Sequence, residues 1–269
     1  MNITSEINPG SFKAYQPLTV FALIKKLIKL LMQFKFKLFG YCMISECKNI
    51  SNRNSKKIKF ICPVCKSKFA GFVHKYNSLR ISWNSACPHC DSRSRHRGLF
   101  FLYKEILHQY RKEISVLHFA PEQVFYPIFK NEPDIQYNTT DYFLEDVDFK
   151  NEDIQKLSLP SGKFDLILCN HVIEHIPSDE AAMAEMSRIL KENGRAIITI
   201  PGNFRREQTV YFDHLKFNGH YRDYGLDVIN KLMKYFKKVE AVDLSKYNPI
   251  EPNSSYGIRK YDMAFICCN

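Results

Sequence analysis

The chain has 269 residues, 45% hydrophobic and 25% charged, which is the balance of a globular protein with a sizeable core and excludes a low-complexity or fibrous chain. Its net charge of +11 is unevenly spread. Residues 1–100 carry 18 Lys and Arg against 3 acidic residues, and residues 101–269 carry 21 against 25, so the basic excess lies wholly in the front third. That asymmetry suits either a polyanionic partner (nucleic acid, anionic lipid or an acidic glycan) or a solvated basic face.

Residues 1–17 read as disordered. Residues 18–39 form an apolar run studded with Lys25, Lys26, Lys29, Lys35 and Lys37, too many charges for a transmembrane span. Helical spacing puts Val20, Ile24, Leu27, Leu31 and Phe34 roughly on one side. Such a basic amphipathic helix can rest on an anionic membrane surface or pack on protein. Residues 48–59, polar and basic, read as a linker.

The nine cysteines include two Cys-x-x-Cys pairs, Cys62-Pro-Val-Cys65 and Cys87-Pro-His-Cys90. Each short turn brings two sulfurs to one side, and four thiolates complete a closed tetrahedral zinc shell of the structural kind. His74 and His89 are alternative ligands that a four-cysteine site does not need. The other five (Cys42, Cys47, Cys169, Cys267, Cys268) follow no disulfide framework, and no signal peptide with a small-residue cleavage site is visible. A reduced, cytoplasmic compartment fits both facts. After the second pair, Arg93, Arg95 and Arg97 are placed either to grip an anion or to pack against the acidic main domain. An apolar helix runs from Leu99 to Leu107.

From residue 114 short apolar runs alternate with helical segments. Strands are expected at Ile114–Phe119, Ile135–Thr140, Val147–Asn151, Phe164–Cys169 and Arg195–Ile200. A helix should lead from Pro121 to about Lys130. Another should run from Ser178, its cap, to Leu190, stopped by Asn193-Gly194. Phe204 to Tyr224 reads as aromatic, polar and irregular, with His214, His220, Arg222 and Tyr224. A helix at Leu226–Phe236 and strands at Val239–Asp243 and Tyr261–Cys267 close the chain. The fold class is α/β, a doubly wound Rossmann-like sheet, with ligands expected at the carboxyl ends of its strands.

Asp141 closes the second strand, where a carboxylate can accept hydrogen bonds from both ribose hydroxyls of an adenosine-type ligand. Asp153 and Ile154 follow the third, placed for the adenine amino group and ring. The stretch from Asp153 to Pro201, with Leu157-Ser-Leu-Pro, Phe164-Asp165-Leu-Ile-Leu-Cys169 and Val172-Ile-Glu174-His175, resembles the class I S-adenosylmethionine (SAM)-dependent methyltransferases of the type 11-like group. With Val116-Leu-His-Phe-Ala-Pro-Glu122 behind a ribbon ending in Ser-Arg-His-Arg97, it further resembles a bacterial subgroup carrying an N-terminal four-cysteine zinc ribbon. The resemblance covers roughly residues 60–230 and implies SAM and a structural zinc as cofactors. It implies a donor site of His118, Ala120, Glu122, Asp141, Asp153, Ile154, Asn170 and His171, and zinc ligands Cys62, Cys65, Cys87 and Cys90. Glu174 and His175 would shape the methionine pocket.

One departure concerns the first loop. His118 stands where a carboxylate is usual, and Ala120 and Glu122 stand where glycines are usual. Glu122 can meet the SAM amino group instead; the alternative is a degenerate site. No G-x-G-x-x-G is present, which disfavours a dinucleotide. Methyl transfer to a hydroxyl or amine needs alignment and a base, and His220 in the acceptor-side loop is the candidate; a structural histidine is the alternative. The leading reading is transfer to O or N of a small molecule or cell-surface glycan precursor, in the cytoplasm, with residues 18–39 as a peripheral membrane contact. RNA is the alternative acceptor, although the Asn/Asp-Pro-Pro-Tyr/Phe motif is missing after strand four. A third reading is a binding protein with a relic SAM fold. The expected division is an N-terminal segment and linker at 1–59, a zinc ribbon at 60–98 and a methyltransferase domain at 99–269.

Overall fold

The structure is a computed structural model that describes residues 19–33, 35–76, 81–216, 219–249 and 255–269, without the side chains of 213–216. The expectation of disorder over 1–17, and Phe34, lie outside them. The chain divides into two compact units. Among the described residues, one holds those within 19–102 and 245–259, and the other those within 103–244 and 260–269.

The first unit opens with two helices, α1 (Val20–Met32) and α2 (Phe36–Asn54). Thr19 caps α1, its hydroxyl accepting from the Ala22 amide at 3.2 Å. The face of α1 that bears Val20, Phe21, Ile24, Ile28 and Leu31 is exposed, while Leu30 is buried. No described helix is long and apolar enough to cross a membrane.

Much of the expected linker is helical, because α2 extends to Asn54. The reason is local pairing with the strand β3 (Val73–Tyr76). Asn49 donates from Nδ2 to the His74 carbonyl at 3.1 Å and accepts from the His74 amide at 2.7 Å. Asn52, one turn on, donates to the Phe72 carbonyl at 3.2 Å. Two polar side chains thus satisfy a strand edge that water would otherwise meet.

Two short antiparallel pairs follow: β1 (Phe60–Ile61) with β2 (Lys68–Phe69), and β3 with β4 (Ile81–Ala86). The next helix, α3 (Ser94–Leu107), begins in this unit. Its Arg97 is fully buried. The guanidinium donates to the carbonyls of Ser92, Tyr256 (2.6 Å) and Gly257 (2.8 Å) and lies 4.1 Å from the centre of the Phe72 ring. Arg97 therefore closes its own unit onto residues 256–257. Gly257 allows this approach, since it has φ +64 and a Cβ there would collide with Phe72.

The second unit is built on one seven-stranded sheet. Its elements in chain order are β5 (Ile114–Phe119), α4 (Tyr126–Lys130), β6 (Ile135–Asp141), β7 (Phe149–Lys150), β8 (Phe164–Asn170), α5 (Asp179–Ile189) and β9 (Leu190–Thr199). There follow β10 (Val210–Lys216), β11 (His220–Asp223), α6 (Val228–Leu232), β12 (Lys238–Asp243) and β13 (Met263–Cys268). Strand order is β12-β13-β9-β8-β5-β6-β7. The five strands from β9 to β7 are mutually parallel, and β13 runs antiparallel to both of its neighbours.

All seven residues of β8 are buried, as a strand covered on both faces requires. Phe164, Ile167, Met183, Met186, Ile198 and Phe265 lead the core beside it. The chain leaves β5 on one side to make β6 and returns on the other to make β8, so the order reverses between β5 and β8. Right-handed crossovers then place the connections on opposite faces, which is the doubly wound plan.

Five elements of this unit differ from expectation, among them the helix expected at Leu226–Phe236, which is only Val228–Leu232. The helix after Pro121 is only the turn at Tyr126–Lys130. The third strand is two residues long. The helix capped by Ser178 ends at Ile189, and Leu190 to Gly194 continue as strand rather than helix. The irregular stretch 204–224 contains the antiparallel hairpin β10–β11.

Replacing Arg97 by Met would leave three buried carbonyls without a donor. We expect a loss of about 3 kcal/mol of stability in urea titration, with Arg97→Lys recovering only part of it. A change under about 0.5 kcal/mol would show that the clamp is dispensable.

Candidate functional site

At the carboxyl ends of β5, β6 and β8 lies a cavity of about 400 Å³. Its position matches the strand-order switch, where open α/β sheets take ligands. Ala120, Asp141, Asp153, Ile154 and His171, five of the residues expected to hold a donor, line it. Ala120 and His171 end β5 and β8 in the left-handed region, at φ 46 and 54. A side chain there carries about 1 kcal/mol of strain. At Ala120 the strand register holds that shape, because its amide donates to the Thr140 carbonyl at 2.9 Å.

Asp141 uses Oδ1 to organise its own turn, accepting from the amides of Phe143 (2.7 Å) and Leu144 (2.9 Å). Among the described residues its Oδ2 accepts no hydrogen bond. Asp153 makes a similar turn, its Oδ1 accepting from the Gln155 amide at 2.9 Å. Tyr142 and Phe143 also line the cavity, edge to face at 4.9 Å, and both are exposed. The sequence reading missed these two; the signal available was an aromatic pair directly after the acidic end of the second strand.

His118, Glu122 and Asn170 are brought together, but they stand behind the cavity rather than in its lining. Asn170 Nδ2 donates to Glu122 Oε2 and to the Tyr103 hydroxyl, both at 2.8 Å, and Asn170 Oδ1 accepts from the Thr199 hydroxyl at 3.0 Å. His118 Nδ1 shares a hydrogen bond with the Tyr137 hydroxyl at 2.8 Å. This network fixes the ends of β5 and β8, so these residues position the first loop.

His220 begins β11 and meets His175 edge to face at 4.7 Å. Arg222, two residues on, sets that placement. It is buried, and it donates to the carbonyls of Ile173 (3.2 Å), Ile176 (2.9 Å) and Pro177. Asp179 balances its charge at 3.4 Å and also accepts from the Tyr224 hydroxyl (3.0 Å) and Lys231 (3.1 Å). The hairpin is thereby tied to the turn carrying Glu174 and His175. Burial holds the His220 pKa below the ordinary histidine value, opposed by the Glu174 carboxylate and assisted by His175 and His171. His220 is therefore neutral near pH 7 and offers a lone pair.

The four cysteines of the first unit form a buried cluster whose sulfurs lie within 4.8 Å of one another, without His74 or His89. Their two turns repeat one geometry. The Lys66 and Asp91 amides donate to the Cys62 and Cys87 carbonyls at 2.9 and 3.0 Å, and both residues have positive φ. Cys62 and Cys90 sulfurs are 3.6 Å apart, and Cys65 and Cys87 sulfurs 3.8 Å. A zinc tetrahedron with bonds near 2.3 Å has edges of about 3.8 Å, so the donor set fits that ion.

Residues 109–198 match the model of a family described as a methyltransferase domain. No curated protein matches the chain. Among solved structures, the YcgJ protein of Bacillus subtilis is 18% identical, over 55% of this chain and 70% of its own, with a TM-score of 0.41. A SAM-dependent methyltransferase from Archaeoglobus fulgidus is 18% identical, over 65% and 94%, with a TM-score of 0.45. A Burkholderia thailandensis 1,6-didemethyltoxoflavin-N1-methyltransferase with bound S-adenosylhomocysteine is 13% identical, over 65% and 78%, also at 0.45. The matched model and the strand order of the sheet mark residues 109–198 as a methyltransferase domain.

Proposed function

We propose that this domain binds SAM in the 400 Å³ cavity and transfers its methyl group to an oxygen or nitrogen of a small molecule or glycan precursor. The observation that carries the reading is the pair of carboxylates, Asp141 and Asp153, on one cavity wall with the exposed Tyr142–Phe143 pair beside them. Asp141 Oδ2 suits the ribose hydroxyls, Asp153 the adenine amino group, and the aromatic pair and Ile154 the faces of the base. The methionine end would reach toward Ala120 and His171. The acceptor would enter from the side of His220, whose neutral imidazole can take a proton or a cation. Transfer is an in-line displacement: the acceptor forms a bond to the methyl carbon as the carbon–sulfur bond breaks, leaving S-adenosylhomocysteine. In the first unit, Cys62, Cys65, Cys87 and Cys90 would hold a structural zinc that nucleates the ribbon. The exposed apolar face of α1, beside Lys25, Lys26 and Lys29, suits the anionic surface of a membrane, where lipid-linked acceptors reside.

Calorimetry of the zinc-loaded chain should show micromolar affinity for SAM, weakened by Asp141→Ala about 10- to 100-fold, the worth of one charge-assisted hydrogen-bond pair. No binding at millimolar SAM by the folded protein would establish the relic reading. Metal analysis should find one zinc per chain, lost in Cys65→Ser and Cys90→Ser; full occupancy in both variants would contradict a four-cysteine shell. On α1, Phe21→Glu with Ile24→Glu should abolish co-sedimentation with phosphatidylglycerol vesicles, which 0.5 M salt should also weaken (about a 4 Å Debye length). Unaltered partition in that variant would remove the membrane contact.

A further inference from the structure

The carboxylate of Glu174 is the least explained group in the second unit. It is fully buried, and neither oxygen takes part in a hydrogen bond. Its neighbours are imidazoles. His171 Nδ1 is 3.2 Å and His175 Nε2 3.7 Å from Oε1. One donor atom each of Glu174, His175 and His220 lies within 4.8 Å of the other two. A buried carboxylate without a partner is costly, and the usual resolution is a compensating positive charge. Among the described side chains no lysine or arginine supplies it: Arg222 is engaged by Asp179 and three carbonyls.

We propose that Glu174, His175 and His220 form a binding site for a divalent first-row metal ion beside the donor cavity, with His171 in reach as a further ligand. Two imidazoles and a carboxylate suit Mn²⁺, Fe²⁺, Co²⁺ or Zn²⁺ better than Mg²⁺ or Ca²⁺. The surroundings are arranged as metal histidines require. His175 directs Nδ1 toward the Gly219 carbonyl at 3.4 Å, and that contact leaves Nε2 to face Glu174. Gly219 itself sits at φ +89 just before His220, so one tight turn presents both the orienting carbonyl and the next ligand. The half-exposed rings of His171 and His175 keep one side of the cluster open.

Three protein ligands leave coordination positions for an acceptor. Resting on the methyl-transfer reading above, the site specifies an acceptor oxygen, a hydroxyl with a second oxygen donor beside it. Bound to the cation, the hydroxyl is acidified and its proton passes to solvent. The oxygen then bonds to the methyl carbon while the carbon–sulfur pair stays on sulfur. His220 would be a ligand in this arrangement, and the cation would take the place of a protein base.

The test is a Mn²⁺ titration of the full chain loaded with a single equivalent of zinc for the four cysteines, reading free Mn²⁺ by electron paramagnetic resonance, with S-adenosylhomocysteine affinity measured in parallel. Wild type should hold one Mn²⁺ with micromolar affinity. Glu174→Gln and His220→Asn should each weaken it at least about 10-fold, with an unchanged circular dichroism spectrum and thermal unfolding midpoint as proof of folding. Mn²⁺ affinity equal in wild type and both variants, or no Mn²⁺ bound at millimolar concentration by protein that binds S-adenosylhomocysteine, would overturn the site. Tight Mn²⁺ binding, lost in the variants, by protein that ignores S-adenosylhomocysteine would uphold the cation site and defeat the donor reading instead.

Discussion

Everything about the site depends on β8 being paired on both edges and covered on both faces. Seven consecutive buried residues, Phe164 to Asn170, leave that strand no freedom of register. Its parallel pairing with β5 (Val116 with Leu166 through Phe119 with Cys169) brings the ends of both strands to one level. Chain leaving at that level must turn sharply, and Ala120 and His171 do so through left-handed backbone. The donor cavity is the space these two turns leave between them, with Asp141 delivered to the same rim by β6.

A second theme is the treatment of buried positive charge. Arg97 and Arg222 are both buried, and each spends its guanidinium mainly on backbone carbonyls. Carbonyls at a turn or chain crossing cannot reach each other, so a planar donor with five hydrogens ties several segments at once. Arg97 ties residues 92 and 256–257 in the first unit, and Arg222 ties residues 173–177 to the hairpin in the second. Arg222 also has a carboxylate close by, Asp179. The positions of His175 and His220 relative to one another follow from that second clamp rather than from strand pairing.

The central sheet was legible because buried parallel strands are short apolar runs: Ile114–Phe119 matches its expectation residue for residue, and Phe164–Cys169 misses by one. The Ser178 cap was legible too, its hydroxyl accepting from Ala181 as the residue type suggests. What failed had non-local causes. Asn49 and Asn52 look like linker residues until a strand edge is offered to them. Residues 190–194 look like a helix end, yet the sheet recruits Leu190 to pair with Phe164. The hairpin 210–223 was hidden because its register slips between Tyr211 and Lys216, which breaks the alternation that marks a strand. At the site, Asp141, Asp153 and Ile154, expected from their places after strands, line the cavity. His118, Glu122 and Asn170, expected beside them, lie outside its lining and bond to one another, a pairing that no local pattern in the sequence announces.

The acidic groups around the cavity differ in physical state, and the difference sorts their roles. Asp141 and Asp153 sit near solvent, Asp141 with one oxygen used by its local turn and Asp153 with its carboxylate bonded to the amide and side chain of Gln155, so both are stable without a ligand and able to accept from one. Glu122 is settled in a polar network through Asn170. Glu174 alone among them is fully buried with neither oxygen hydrogen-bonded, in a nest of imidazoles. A carboxylate kept in that condition has little to gain from a neutral ribose or adenine, which on the proposed reading fall to the other two. It is suited to a cation, and it stands where the hairpin clamped by Arg222 brings His220.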